Sequence, residues 1–196
     1  MPMLNSDIRI IAIGNGDSVL NHKFGNKIDD FDIVLRTNNY KIEGYEEYIG
    51  KKTTFWARSD SKGIINRDFK QFQKVLFCLP LRNFSDKKRM DYVKSVFTKN
   101  SEIVDKNIVM AAQQKIESPN YSWPSTGLIA LEWLLSKYEK VHIFGFDCFR
   151  KSDGFPRYYY NNREIISKII GHKFIDEIKF INYYKKKGRI IKLEDV

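Results

Sequence analysis

Ser125, Thr126 and Gly127 stand directly behind Pro124 and ahead of Leu128, Leu131, Leu134 and Leu135, which recur at helical spacing. Two hydroxyls and a bare backbone at a helix start leave unpaired N–H groups and a positive dipole end, a combination that suits a phosphate. The leucines predict that this helix buries one face. Val141 to Phe144 then reads as a buried strand, ending at Gly145 and Phe146. A second loop of the same kind is Gly14-Asn15-Gly16-Asp17-Ser18, straight after the β-branched run Ile8 to Ile13. It lacks the third glycine of a dinucleotide fingerprint and is no Walker loop, so a tight turn competes with a nucleotide cradle. Asp17 and Ser18 are expected to cap a short helix. Asn38, between Thr37 and Asn39 at the end of the strand 31–36, offers an amide for a base or ribose, or else makes an Asx turn. Asp30-Phe31-Asp32 has the D-x-D spacing of a metal-diphosphate site, but it opens a strand, whereas ligands bind beyond the carboxyl ends. No metal ligand is assigned.

Proton transfer at neutral pH points to the 3 histidines. His142 alternates within a buried strand and reads as a core residue, and His22 carries no signal. His172 follows Gly171 at the start of the last expected helix. There the dipole disfavours imidazolium and keeps the ring able to accept a proton, as a general base must.

These groups need a scaffold that brings them together, and the pattern supplies one. Strands are expected over 8–13, 31–36, 53–57, 74–79, 107–110, 141–144 and 189–193. Helices are expected over 64–72, 85–97 (Met90, Val93 and Phe97 inward), from 125 onward, and over 172–187 (Phe174, Ile178, Ile181 and Tyr184 on one face). A helical turn fills 44–50, and 112–123 reads as loop. Alternating strands and helices imply an α/β sandwich with a mostly parallel sheet, and 196 residues suggest one domain, 1–196. The aromatic loop 149–162, with Arg157-Tyr158-Tyr159-Tyr160, lies after a strand end, where irregular segments tend to be functional.

The formal charge of +10 calls for an acidic partner. Two cysteines, Cys78 and Cys148, far apart in sequence, make neither a zinc motif nor a disulfide framework and suit a reducing compartment. The first residues lack a signal-peptide pattern and no apolar run could span a bilayer, so the expectation is cytoplasmic, with peripheral contact at the inner face of an anionic membrane as an option.

Three segments in order resemble the motifs of a known family. Ile11-A-I-G-N-G-D-S-Val19 with Ile28-D-D-F-D-I-V-L-R-T-N-Asn39 and Tyr48-I-G-K-K-T-Thr54 is similar to the long motif of sialyltransferases. Pro124-S-T-G-Leu128 through Phe146 resembles their short motif, and His172-K-F-I-D-Glu177 their last one. Glycosyltransferase family 29 is the nearest match, while the G-N-G-x-S loop and the Gly-His start are similar to bacterial family 42. The resemblance implies a Rossmann-like α/β/α sandwich, a GT-A-like variant. It implies inverting, metal-independent transfer of sialic acid from CMP-sialic acid to a saccharide or lipid-linked saccharide, in bacterial surface-glycan synthesis, with no other cofactor. By motif, Gly14, Asn15, Gly16, Ser18 and Asn38 would hold the CMP phosphate and ribose. Ser125, Thr126, Gly127, Gly145 and Phe146 would complete the cradle. His172 becomes the base, and Tyr158 and Tyr159 assist the leaving phosphate. Arg157 stands where the family's His-Tyr-Tyr motif has histidine, and neither cysteine occupies the positions that animal members join by a disulfide.

CMP-Kdo is an alternative donor of similar chemistry. A basic nucleic-acid-binding module would explain charge and aromatics but not P-S-T-G, so nucleic acid is not an expected partner. A nicotinamide oxidoreductase would need the missing glycine and an acidic residue after the second strand.

Overall fold

The computed structural model describes residues 7–61, 63–116, 123–148, 158–160 and 174–196. Short runs form the centre, rich in β-branched residues in β1 and β2 and in aromatics in β3: β1 (Ile10–Ile13), β2 (Ile33–Thr37) and β3 (Phe55–Arg58) are buried at every position. They continue with β4 (Lys74–Phe77), β5 (Ser101–Ile103), β6 (Val141–Phe144) and β7 (Ile190–Lys192). The seven strands form one sheet in the order β5-β4-β3-β2-β1-β6-β7, and all six pairings are parallel. Parallel strands need crossovers and cover on both faces, which is why these strands read as continuous apolar runs.

Side-chain alternation sorts the two faces. Ile10, Ala12, Ile33, Leu35, Phe55 and Ala57 pack into one layer with α4 (Lys106–Lys115), α5 (Thr126–Lys137) and α6 (Phe174–Lys186). Ile11, Ile13 and Val34 face the other way, onto Ile28 of α1 (Gly25–Asp29) and Ile49 of α2 (Glu46–Ile49). Further along that face Trp56, Val75 and Phe77 meet Val93 of α3 (Lys87–Ser95). The result is the α/β/α sandwich expected from the alternation. Arg36, fully buried in β2, donates to the carbonyls of Ile49 and Gly50 at 2.6 and 3.2 Å and so ties the end of α2 to the sheet. Burial lowers its pKa to about 10.

Several sequence expectations need correction. Residues 107–110 belong to α4 rather than to a strand, because the Asp105 carboxylate accepts the Asn107 N–H and starts a helix. The strand lies earlier, as β5, and α4 takes up the first part of the expected loop 112–123. Residues 64–72 form only a 3₁₀ turn, Phe69–Gln71, closed by Asp68 on the Lys70 N–H, with Phe69 and Phe72 both sunk against Trp56. Helix α5 is buried at every position from Leu128 to Leu135, not along one face, since it packs on α4 as well as against the sheet and is bonded to α6 through Glu132 and Tyr184. Its Glu132 is held by Lys115 Nζ and the Tyr184 hydroxyl, both at 2.8 Å. In α6 the inward residues are Glu177, Phe180, Ile181 and Tyr184, with Ile178 only partly buried. The side chain of Phe174 lies outside the described set. Phe97 is 40% exposed, although it stacks on Phe77 at 5.6 Å. His142 is half-buried, 5.0 Å from the Phe31 ring, and desolvation holds its pKa down.

The strand order reverses between β1 and β6: the chain builds outward from β1 through β5, then returns to lay β6 on the other side. A crevice at the carboxyl ends is a consequence of that reversal, because the connections leaving β1 and β6 depart in opposite directions.

Candidate active site

The crevice is occupied by a cleft whose lining comes from all three signalled segments: Gly14, Asn15 and Gly16 after β1, Thr37 and Asn38 after β2, and Ser125, Thr126 and Gly127 at the start of α5. Gly145, Phe146, Asp147 and Cys148 after β6, with Tyr158 and Glu177, complete it. The β1 and β6 loops touch through backbone. Gly14 N–H donates to Phe144 O at 2.8 Å and Gly16 N–H to Gly145 O at 3.0 Å. A Cβ on Gly14 would lie 2.2 Å from the Gly145 oxygen, so no side chain fits there. Gly145 has φ +69°, the left-handed region, which reverses the chain directly after β6.

Asn15 donates its Nδ2 to Thr37 O at 3.1 Å, while its Oδ1 is buried without a partner. A buried acceptor left this way is a site for a donor from a bound molecule. Asn38 has φ 46°, and its Oδ1 accepts the Ser59 N–H at 3.0 Å, so its amide nitrogen is the end left for the cleft. Both asparagines therefore hold loops together and present one polar atom each.

At the opposite wall Ser125 is the N-cap of α5: its Oγ accepts the Leu128 N–H at 3.4 Å and donates to Glu177 Oε2 at 3.1 Å. The Ser125 N–H donates to Glu177 Oε1 at 3.0 Å. The Ser125 hydroxyl, expected as part of a nucleotide cradle, is committed to this cap and to α6. The N–H groups of Thr126 and Gly127 remain as first-turn donors, and both residues line the cleft. A Cβ on Gly127 would meet the Phe146 ring at 3.0 Å, so the ring lies close over the helix start.

Ser18 is placed elsewhere. Its N–H donates to Asp147 Oδ2 at 3.0 Å and its hydroxyl to Asp147 Oδ1, and it lines a neighbouring groove instead of the cleft. Neither Asp17 nor Ser18 caps the 3₁₀ turn Asp17–Asn21 with its side chain, because the cap position falls on Gly16. Tyr158 pairs across to Gly16 as an isolated bridge and lines the cleft. Burial, and after it the nearby Glu177 charge, pushes its phenol pKa up, so at neutral pH it is a hydrogen-bond donor. Tyr159 turns into the core at 2% exposure, its hydroxyl bonded to Lys41 N–H at 3.0 Å and Lys41 O at 2.6 Å. It fixes the loop and does not reach the cleft, contrary to the expectation that it faces a leaving group. His172 lies outside the described residues, as does Arg157. Cys78 and Cys148 are both free and buried. Among the described residues no group of three His, Cys, Asp or Glu side chains could hold a metal ion, and no helix is long and apolar enough to cross a membrane.

A parallel sheet with a donor-lined cleft at its point of reversal defines an open α/β protein whose ligand crevice lies at the carboxyl ends of the strands. The profile of glycosyltransferase family 29 (sialyltransferase) matches residues 8–189, and the chain belongs to that family. It is 29% identical over 187 residues to sialyltransferase-like protein 2 of Arabidopsis thaliana, covering 90% of this chain and 38% of that one. It is 25% identical over 214 residues to the type 2 lactosamine alpha-2,3-sialyltransferase of Rattus norvegicus, covering 94% and 64%. The chain thus spans well under half of the plant relative and just under two thirds of the rat one. A mammalian sialyltransferase crystal structure superposes with TM-score 0.71 at 17% identity, covering 95% of this chain and 68% of that one. CstII of Campylobacter jejuni, solved with cytidine-5'-monophosphate, superposes with TM-score 0.58 at 17% identity, covering 96% and 81%.

Four lining residues, Thr37, Asp147, Cys148 and Glu177, had no site role in the sequence reading. Thr37 and Asp147 sit beside recognised loops, and their adjacency to Asn38 and Phe146 was the available signal. Glu177 was visible only as the last residue of the third motif, with no hint that it would reach the cap of α5.

Proposed function

We propose that this chain is a transferase that moves a sialic acid from CMP-sialic acid to a saccharide hydroxyl. The carrying observation is the convergence of the Thr126 and Gly127 N–H groups with the Gly14–Gly16 loop and the unpartnered Asn15 Oδ1 in one cleft at the sheet reversal. The helix N-terminus faces the phosphate of CMP, and Asn15 with Asn38 meets the ribose and base. The acceptor oxygen attacks the anomeric carbon as its bond to the phosphate oxygen breaks. The electron pair leaves with CMP and the acceptor proton passes to His172, so a single displacement inverts the anomeric centre. Tyr158, kept protonated by burial, donates to the departing phosphate. A phosphate monoester is a weak base, and these donors stabilise it without a divalent cation. The same cleft accommodates CMP-Kdo, whose reacting centre has the same chemistry. We place the reaction in surface-glycan synthesis on the cytoplasmic side of a membrane, a reading supported by the net charge of +10, which suits an anionic membrane surface.

Calorimetric titration with CMP and then CMP-sialic acid, in chelator, tests the proposal, with NAD and a short oligonucleotide as controls. Micromolar CMP binding and no response from the controls is the expected result. Loss of CMP binding in chelator, or equal binding of NAD, overturns the donor assignment. His172→Ala should abolish transfer with CMP affinity retained, and unchanged turnover removes His172 as the base.

A further inference from the structure

A second, larger groove of about 770 Å³ opens on the far side of Tyr158, which lines both it and the cleft. Its walls come from the segment after β2 and from the irregular stretch before β4, where the sequence predicted a helix. The groove is aromatic, with Tyr40, Phe72 and Tyr160 beside Tyr158, and the Tyr158 and Tyr160 rings stack at 5.4 Å and 28°. Flat stacked rings suit the apolar face of a sugar. Its ionic groups are unbalanced: Lys41, Lys51 and Arg67 line it against one carboxylate, Glu43.

Arg67 is the most specific of these. Its Nη2 donates to Tyr40 O at 2.6 Å, and its guanidinium carbon lies over the Tyr40 ring, 4.0 Å from the centroid. The hydrogen bond and the ring contact together fix the side chain's orientation. Its Nε is buried without a hydrogen-bond partner, and no carboxylate pairs with Arg67 among the described residues. A guanidinium fixed in the groove lining and not neutralised by a carboxylate matches the oxygens of a bound carboxylate or phosphate. Tyr160 is near enough to feel it: burial raises its phenol pKa and the Arg67 charge pulls it back in part.

We infer that this groove receives the acceptor, and that the acceptor is an anionic saccharide whose carboxylate or phosphate pairs with Arg67 while its ring packs on Tyr158 and Tyr160. The inference rests on the donor reading only for the word acceptor. Preference for an anionic sugar is a property of the groove alone.

The test is titration of the whole chain, with and without saturating CMP, using matched sugars: methyl galactoside and methyl glucoside, their uronic acid counterparts, and the corresponding 6-phosphates. Inorganic phosphate and acetate serve as free anions. At least one anionic sugar should bind about tenfold tighter than its neutral counterpart, the effect of one charge-assisted hydrogen bond. The choice between uronate and 6-phosphate identifies the anion. Arg67→Gln should reduce that ratio to near one while CMP affinity stays within about twofold. Because Arg67 also packs on Tyr40, Lys41→Gln with Lys51→Gln is the second variant. These exposed residues cost no core contact, and their loss should reduce the ratio about threefold. Equal affinity for neutral and anionic sugars, with CMP binding intact, overturns the inference. Free phosphate or acetate binding as tightly as the sugar anions also overturns it, since the saccharide then contributes nothing. Failure of CMP to bind with the anion preference intact removes the donor reading and leaves the groove assignment standing.

Discussion

Replacing Ser125 by alanine separates two roles that its position allows. If the hydroxyl were a ligand for the nucleotide, Ser125→Ala would weaken CMP binding and leave stability nearly unchanged. The structure gives the opposite expectation. The hydroxyl accepts from Leu128 N–H at a long 3.4 Å and donates to Glu177 Oε2 at 3.1 Å, whereas the Ser125 N–H bond to Oε1 survives the substitution. The cap lies at the weak end of its range, about 0.5 kcal/mol, because its bond is long. The bond to a buried carboxylate adds about 1.5 kcal/mol, so the loss is about 2 kcal/mol. For a chain of this length that lowers Tm by roughly 4–8 °C. Urea denaturation of Ser125→Ala, Glu177→Gln and the double variant gives the coupling between the two residues, expected at about 1.5 kcal/mol. CMP affinity, measured well below Tm, should fall no more than about threefold, a change of well under 1 kcal/mol. A stability change below about 0.5 kcal/mol, with CMP affinity down tenfold or more, would refute the reasoning and return Ser125 to the ligand.

Two glycines of the cleft should respond in opposite ways. Gly14→Ala drives a Cβ to 2.2 Å from a backbone oxygen that cannot move without parting β1 from β6, so a loss of about 3 kcal/mol or failure to fold is expected by thermal melting. Gly127→Ala meets only the Phe146 ring at 3.0 Å and gains helix propensity, so stability should stay within about 1 kcal/mol while CMP affinity falls as the ring is displaced. Alkaline titration should expose the buried phenols. Burial raises Tyr159 to about 12 and Tyr158 in the same direction, so their stabilisation is complete below the unfolded value near 10 and is lost as pH rises toward 12. Denaturant midpoints flat from neutrality to about pH 9 and falling above 10, with tyrosinate absorbance rising in the same transition, are expected. A tyrosinate rise near pH 10, without unfolding, that Tyr158→Phe and Tyr159→Phe each diminish would show that these phenols are exposed.

Local sequence was enough for the elements whose signal is local. Runs such as Ile10–Ile13 and Val141–Phe144 read as parallel strands because burial on both faces demands continuous apolar residues, and Ser125 read as a helix start because capping is a short-range bond. The expectation failed where one residue outweighed the pattern: Asp105 turned an apolar run into α4, and Asp68 closed a 3₁₀ turn where spacing suggested a helix. The Gly14 loop, Asn38 and the start of α5 were each legible as ligand-binding segments, since glycines, amides and helix N-termini advertise free backbone donors.

What only the tertiary structure decided is which atoms those segments have left to offer. Asn15 and Asn38 each spend one end of the amide on a neighbouring loop, the Ser125 hydroxyl goes to Glu177, 52 positions along the chain, and Ser18 to Asp147, 129 positions away. Tyr158 and Tyr159 are adjacent in sequence, yet one lines the cleft and the other is locked to Lys41. Residue type determines what a group can bond to. Its partner is set by strand order and loop contact between distant segments, and no pattern within a single segment carries that information.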